Sequence, residues 1–318
     1  MHLHIISAVN TKKLKSSLLA SDRLRLFYIQ QAAKELGYKV SIGLNIPEAD
    51  AYFIGALTKE IDEKIILKIT KNITLKKILI FTDYVDDWLS VSNSKNREIY
   101  KKLIDLDAIF TVPVKGLKDK LKENINKIFF IPDAIDDIPN IDPVALNNKP
   151  RNVLWHGHAS NIFSLIRVIG EKLVDYDFNL NLITNISAVE ILKKTKFKKT
   201  PKCNLIIHNW SLNKIEEIAI KCDFAILPVN KKWASENRLI TTFRLGLPII
   251  ADTISSYKPF SKYYSDFEND QIDNMFNNPE KSHKNVKLAQ SKISKEYNSK
   301  KIIELWKLCL NTKQNFFT

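Results

Sequence analysis

Short apolar runs separated by helix-sized segments, in two successive sets, constrain this chain more than any other feature. In the first half, residues 4–8, 40–43, 51–54, 78–82, 108–112 and 128–131 are apolar stretches of strand length. Between the first two, residues 22–36 set Leu24, Phe27, Tyr28, Gln31, Ala32 and Leu36 on one helical face, and Gly37 stands where such a helix would end. Strands joined through helices run parallel, and a parallel sheet is covered on both faces, which is why its strands read as continuous apolar runs. The first half is therefore expected to be one Rossmann-like α/β domain.

Residues 136–151 break the pattern with Pro139, Pro143, Pro150 and the pair Asn147 and Asn148, a density of turn formers that marks a connection. The alternation then restarts. Strands are expected at 152–155, 179–183, 204–208, 224–229 and 248–251, with helices near 162–173, 187–194, 212–221 and 236–245, which makes a second Rossmann-like domain. The expected division is 1–143, 151–285 and a C-terminal segment 286–318. In that segment Leu288, Ile293, Tyr297, Ile302, Leu305, Trp306, Leu308 and Leu310 fit one or two packed helices, ahead of a frayed end at 316–318.

With 318 residues and 45% hydrophobic content, the chain can fill two domain cores. It shows no signal-peptide pattern, since the apolar start soon meets Lys12, Lys13 and Lys15, and no run approaches the roughly 20 apolar residues that span a bilayer. A cytoplasmic location is the expectation. Cys203, Cys222 and Cys309 are odd in number and lack metal-site spacing, so they are read as small buried hydrophobes with no metal centre. Lysine and arginine number 49 against 35 acidic residues, a formal charge of +14. The lysines are scattered, without the aromatic interleaving of nucleic-acid modules, so nucleic acid is not expected as a partner. An anionic membrane surface is a candidate partner, because exposed lysines gain about 1 kcal/mol each beside acidic lipid, and plain solvated lysine faces are the alternative. The seven glycines form no dinucleotide fingerprint, and protease, P-loop and hydrolase motifs are absent.

Candidate chemistry therefore sits in polar loops after strands, above all in Cys222 to Asp252. There a strand, a polar loop and a helix beginning near Asn237 precede Gly246, Pro248 and another strand. A helix N-terminus at the carboxyl end of a strand offers unpaired N–H groups and a positive dipole end to a phosphate. Arg238, in the first turn of that helix, is unfavourable to the dipole unless an anion is bound, which makes it the leading phosphate ligand; a salt bridge to Glu236 is the alternative. His156, Gly157 and His158 follow another strand. Gly157 would let backbone N–H groups approach a phosphate, and His156 could donate to phosphate or sugar; capping and solvent exposure are the alternatives for both histidines. In the first domain Asp22 opens the first helix. Its plain reading is an N-cap, and its functional reading is a general base or acceptor ligand.

These residues carry a resemblance. The order of Asp223, an apolar run, Pro228, a loop, Asn237-Arg238-Leu239, a helix, Gly246 and Pro248 resembles the donor-nucleotide half of GT-B glycosyltransferases of the family 4/1 type. Residues 81–87, 106–121 and 128–136 look like first-domain segments of that fold, and 153–160 like the opening of its nucleotide domain. The resemblance implies two Rossmann-like domains facing each other across a cleft, with a last helix returning to the first domain. It implies transfer of a sugar from a nucleotide-activated donor to a hydroxyl of a glycan or glycolipid, as in polysaccharide biosynthesis, with no cofactor and no obligatory metal. Catalytic roles are expected for Asp22 and His156, and donor binding for Gly157, His158, Asn237, Arg238, Thr241 and Thr242. Where many retaining members carry two glutamates, this chain has Trp233 and Thr241, a departure that leaves inverting and retaining transfer both open; a Thr241 or Thr242 hydroxyl in place of the ribose carboxylate is one reading and a structural helix-face threonine the other. A nucleotide-sugar epimerase of the same shape and a non-enzymatic two-domain binding protein are the alternative readings.

Overall fold

The computed structural model describes residues 1–8, 14–15, 17, 19–57, 61, 63–75, 78–143, 151–195 and 202–312, with 73–75 and 269–270 described by their backbone alone. Expectations for Lys12, Lys13, Asn147, Asn148, Pro150 and 316–318 lie outside those residues. In chain order the elements are β1 (His2–Ile6), α1 (Phe27–Glu35), β2 (Lys39–Ile42), β3 (Ala51–Ile54), α2 (Glu63–Leu75), β4 (Leu79–Asp83), α3 (Lys95–Asp105), β5 (Ile109–Val112), α4 (Lys115–Leu121) and β6 (Ile128–Phe130). There follow β7 (Asn152–His156), α5 (Ile162–Glu171), β8 (Phe178–Thr184), α6 (Ile186–Lys194), β9 (Cys203–Asn209), α7 (Leu212–Ala219), β10 (Phe224–Leu227), α8 (Asn237–Arg244), β11 (Ile249–Ala251), α9 (Asn269–Asn277), α10 (Pro279–Glu296) and α11 (Ser299–Leu310).

Two compact units result: Met1–Asp136 with Tyr297–Thr318, and Asp137–Glu296. The first is built on a parallel sheet in the order β2-β1-β3-β4-β5-β6. Leu3, Ile5, Phe53 and Phe81 of the strands pack with Ile29, Ala32 and Ala33 of α1 and with Ile302, Trp306 and Leu310 of α11. Trp306 is fully buried, its ring edge-on to Phe53 with centroids 5.6 Å apart. Of the expected apolar face of the first helix, Leu24, Tyr28 and Ala32 are buried, and the rest differs. Residues Asp22–Leu26 form a wide π-type turn leading into α1, and Leu26, Ile29 and Ala33 are buried while Phe27 and Leu36 are only partly so. A π turn inserts a residue into the helical repeat, so positions beyond it rotate relative to a constant 3.6-residue period.

The second unit carries a parallel sheet in the order β11-β10-β7-β8-β9. Its start lies earlier than the proline-rich stretch suggests. Ile138 is buried with Leu245 and Leu247, and Ile141 N–H donates to Arg244 O at 2.7 Å, so the chain joins this unit by residue 137. Gly246, at φ +78°, closes α8 in the left-handed conformation, and a Cβ there would lie 2.6 Å from Asp142 O. The C-terminal segment also divides. On α10, Gln290 donates to Ile141 O and Phe243 O at 2.8 and 2.9 Å, which holds that helix in the second unit. Asn298 then caps α11 through Lys301 N, and α11 packs on α1 in the first. Helix α9 has no clear signal in the sequence, because Ile272, Met275 and Phe276 are too few apolar residues for a readable period. All three cysteines are free and buried.

Candidate functional site

In the second sheet the winding direction reverses between β7 and β10. Loops after the two strands diverge at such a switch point and leave a crevice at the strands' carboxyl ends, where ligands of open α/β sheets bind. Arg238 reaches this place from the first turn of α8. Its Nη1 donates to His156 O at the end of β7 and its Nη2 to Pro228 O just past β10, both at 3.3 Å. One guanidinium thus bridges the two strands of the switch point. These bonds engage two of the five N–H donors that an arginine carries. A half-buried cation in the first turn of a helix adds to the positive end of the dipole.

The side chain of His156 lies 4% exposed, with Nε2 2.9 Å from Thr242 Oγ1. Thr242 Oγ1 donates its single proton to Arg238 O, one helical turn back, at 2.8 Å. The hydroxyl can then only accept from the imidazole, so His156 carries its proton on Nε2. Burial, reinforced by the Arg238 charge, pushes its pKa down to about 3, which keeps the ring neutral at physiological pH. Its Nε2–H is therefore committed to Thr242, and the expected donation from that nitrogen to phosphate or sugar does not fit this arrangement.

Gly157 also departs from expectation. Its N–H donates to Ile183 O at 3.1 Å and its carbonyl accepts from Thr184 Oγ1 at 2.8 Å, so its own amide belongs to the sheet and not to a phosphate loop. Its value is space: a Cβ would stand 3.0 Å from Arg238 Nη1 and 3.2 Å from the Trp155 ring. His158 is exposed, and its Nδ1 accepts from Ser160 N at 3.2 Å, capping the short turn Ala159–Asn161. Asn237 begins α8, with its N–H on Ser235 Oγ at 3.4 Å. Thr241 and Thr242 are both buried on α8.

Three neighbours complete the surroundings: Glu236, which the sequence offers as a salt-bridge partner of Arg238, and Tyr257 and Asp252, which it does not single out. Glu236 is the N-cap residue of α8 and only 4% exposed, which puts a carboxylate beside the helix terminus. Burial raises the Tyr257 phenol above its ordinary pKa, and the nearby Arg238 charge offsets part of the rise. Asp252, directly after β11, accepts from Val229 N at 2.7 Å and from Arg167 Nη2 at 3.3 Å, fixing the start of the loop after β10. An aspartate closing an apolar strand was the available signal for this last contact.

The first unit has its own charged cluster at the carboxyl ends of its strands. Asp22 does not act as the N-cap: it lies inside the wide turn, 4% exposed, and accepts from Ser17 Oγ at 2.6 Å. Burial raises its pKa, opposed by the Ser17 bond and the Arg23 charge. Arg23 forks onto Asp136 at 2.7 and 3.1 Å. Arg25, 1% exposed, donates through Nε to Asp83 at 2.6 Å and through Nη1 to Ile131 O and Asp133 at 2.7 and 3.1 Å. The Trp306 ring lies against its guanidinium, 5.2 Å from the ring centroid. Arg25 and Asp83 thus tie the first helix to β4 and to the loop after β6. The sequence signal was an arginine on the apolar face of a helix. Among the described residues no group of three or more His, Cys, Asp or Glu side chains could hold a metal ion, and no helix is long and apolar enough to cross a membrane.

Two parallel-sheet units with these strand orders define the class of molecule: the chain has the fold of the GT-B glycosyltransferases. Among solved structures it is similar to a glycosyltransferase from Rickettsia africae ESF-5, at 12% identity over 98% of this chain and 99% of that one, with a TM-score of 0.64. It is also similar to HepE from Anabaena, solved in complex with UDP and glucose, at 9% identity over 98% and 99% of the two chains and a TM-score of 0.61. The lipopolysaccharide outer core galactosyltransferase WaaB in its apo form matches at 14% identity over 98% and 100%, with a TM-score of 0.56. No family model and no curated protein matches the chain.

Proposed function

We propose that this protein is a glycosyltransferase that moves a sugar from a nucleotide-activated donor to a hydroxyl of a glycan or glycolipid. The observation that carries the reading is the Arg238 guanidinium bridging His156 O and Pro228 O at the switch point of the second sheet, beside the N-terminus of α8. A fixed cation there offsets the charge that develops on a departing phosphate, and because it is held beforehand it need not reorganise as the bond breaks. The likeness to HepE, whose structure holds UDP and glucose, supports a nucleotide sugar as the donor. Asn237 and Thr241 are the donor ligands proposed beside Arg238, and no cofactor or obligatory metal is part of the proposal.

Asp22 is the proposed base for the acceptor hydroxyl. What supports it is a carboxylate with a burial-raised pKa on the connection after β1, at the point where the strand order of the first sheet also reverses. An anionic membrane surface at the cytoplasmic face is the proposed setting, supported by the formal charge of +14. The decisive experiment is thermal unfolding across UDP, GDP, dTDP, ADP and CMP, followed by nucleotide release from the matching sugar nucleotide with a glycan or glycolipid acceptor. A ligand at about 100 times its dissociation constant adds about 2.7 kcal/mol. If no nucleotide stabilises the protein, the proposal fails.

A further inference from the structure

His156 and Thr242 belong to one continuous chain of bonds. The imidazole Nε2–H donates to Thr242 Oγ1, Thr242 donates to Arg238 O, and the Arg238 guanidinium returns to His156 O. Starting at the end of β7, the chain crosses to the third residue from the end of α8, steps back one turn and closes on the strand from which it began. Each link has one polarity, because the carbonyls only accept and the hydroxyl has one proton to give. The histidine works in this ring as a neutral donor. A second proton would put a charge at a 4% exposed position beside a guanidinium.

From this closed ring we infer that His156 and Thr242 are positioning residues that fix the first turn of α8 against β7 and so aim Arg238 at the bound phosphate, without themselves touching the substrate. The inference rests on the site reading given above and gives a different role to two residues that would otherwise count as a catalytic histidine and a donor ligand. Gly157 completes the device by leaving the guanidinium room to lie across the strand end. Loss of the hydroxyl would free the helix terminus to shift, and an arginine aimed by geometry loses affinity when its anchor moves.

The experiment compares Thr242→Val, Thr242→Ser and Arg238→Ala by calorimetry with UDP, GDP, CMP and inorganic pyrophosphate, below the unfolding temperature of each variant. Nitrogen-15 spectra of the His156 ring are recorded alongside. Arg238→Ala is expected to bind about 10- to 100-fold more weakly, Thr242→Val about 3- to 10-fold more weakly, and Thr242→Ser within about twofold of wild type. A purely structural role would lower the unfolding temperature of Thr242→Val but leave the affinity of the folded protein alone. Weak binding by Arg238→Ala together with full binding by Thr242→Val would overturn the positioning role and leave the site reading intact. Absence of binding to the wild-type protein, or equal binding by Arg238→Ala, would remove the site itself and the inference with it. A ring protonated on Nδ1 alone, or charged at pH 5, would overturn the inference whatever the affinities.

Discussion

The neutral imidazole of His156 makes stability depend on pH with a sign and size that follow from its surroundings. In the unfolded chain the ring titrates near 6.5, whereas burial holds it at about 3 in the folded protein. Between these values the unfolded state binds a proton that the folded state does not, so stability rises with pH and is lost as pH falls below 6.5. One proton corresponds to about 1.4 kcal/mol per pH unit, so this group costs about 2 kcal/mol on going from pH 7 to pH 5. His156→Gln removes the titration while keeping an amide N–H that can face Thr242. The assay is urea unfolding of both proteins at pH 7, 6 and 5, with hydrogen exchange in β7 and β8 reporting on the second unit, since a chain of two units need not unfold in one step. Subtracting the variant's profile from that of the wild type cancels every other titrating group. Parallel profiles, with no extra loss in the wild type at low pH, would refute the buried neutral histidine.

Gly157→Ala should weaken nucleotide binding while leaving the fold in place, because its Cβ would press on Arg238 Nη1 at 3.0 Å; unchanged affinity by calorimetry would count against the need for space there. Gly246→Ala should cost about 2 kcal/mol or more, since φ is +78° and the added carbon would meet Asp142 O and Ile141 O. A chemical denaturation midpoint equal to that of wild type would contradict it. Asp83→Ala should destabilise the first unit by about 3 to 5 kcal/mol by leaving the buried Arg25 short of its nearest carboxylate, as read by unfolding followed through hydrogen exchange in β4. Asp22→Asn should lower turnover by about 10²- to 10⁴-fold with nucleotide affinity intact, and transfer within about threefold of wild type would retire Asp22 as the base.

Local pattern alone determined that the chain builds two parallel sheets, because strands buried on both faces announce themselves as apolar runs spaced by helices. It also singled out Arg238, since a cation in the first turn of a helix is locally unfavourable and therefore informative. The rest needed the tertiary structure. Arg25 and Asp83 stand 58 positions apart and are neighbours only because the wide turn that opens the first helix is brought to the end of β4. His156 looked like a phosphate donor while its partner Thr242, 86 positions away, was out of view. Gly157 looked like a phosphate-loop glycine until the sheet claimed its amide and a guanidinium filled the space where its side chain would be. A sequence displays periodicity and chemical type along one dimension. Which hydrogen-bonding group is spent on a distant neighbour, and which remains for a ligand, is fixed only when the strands are ordered and their ends brought together.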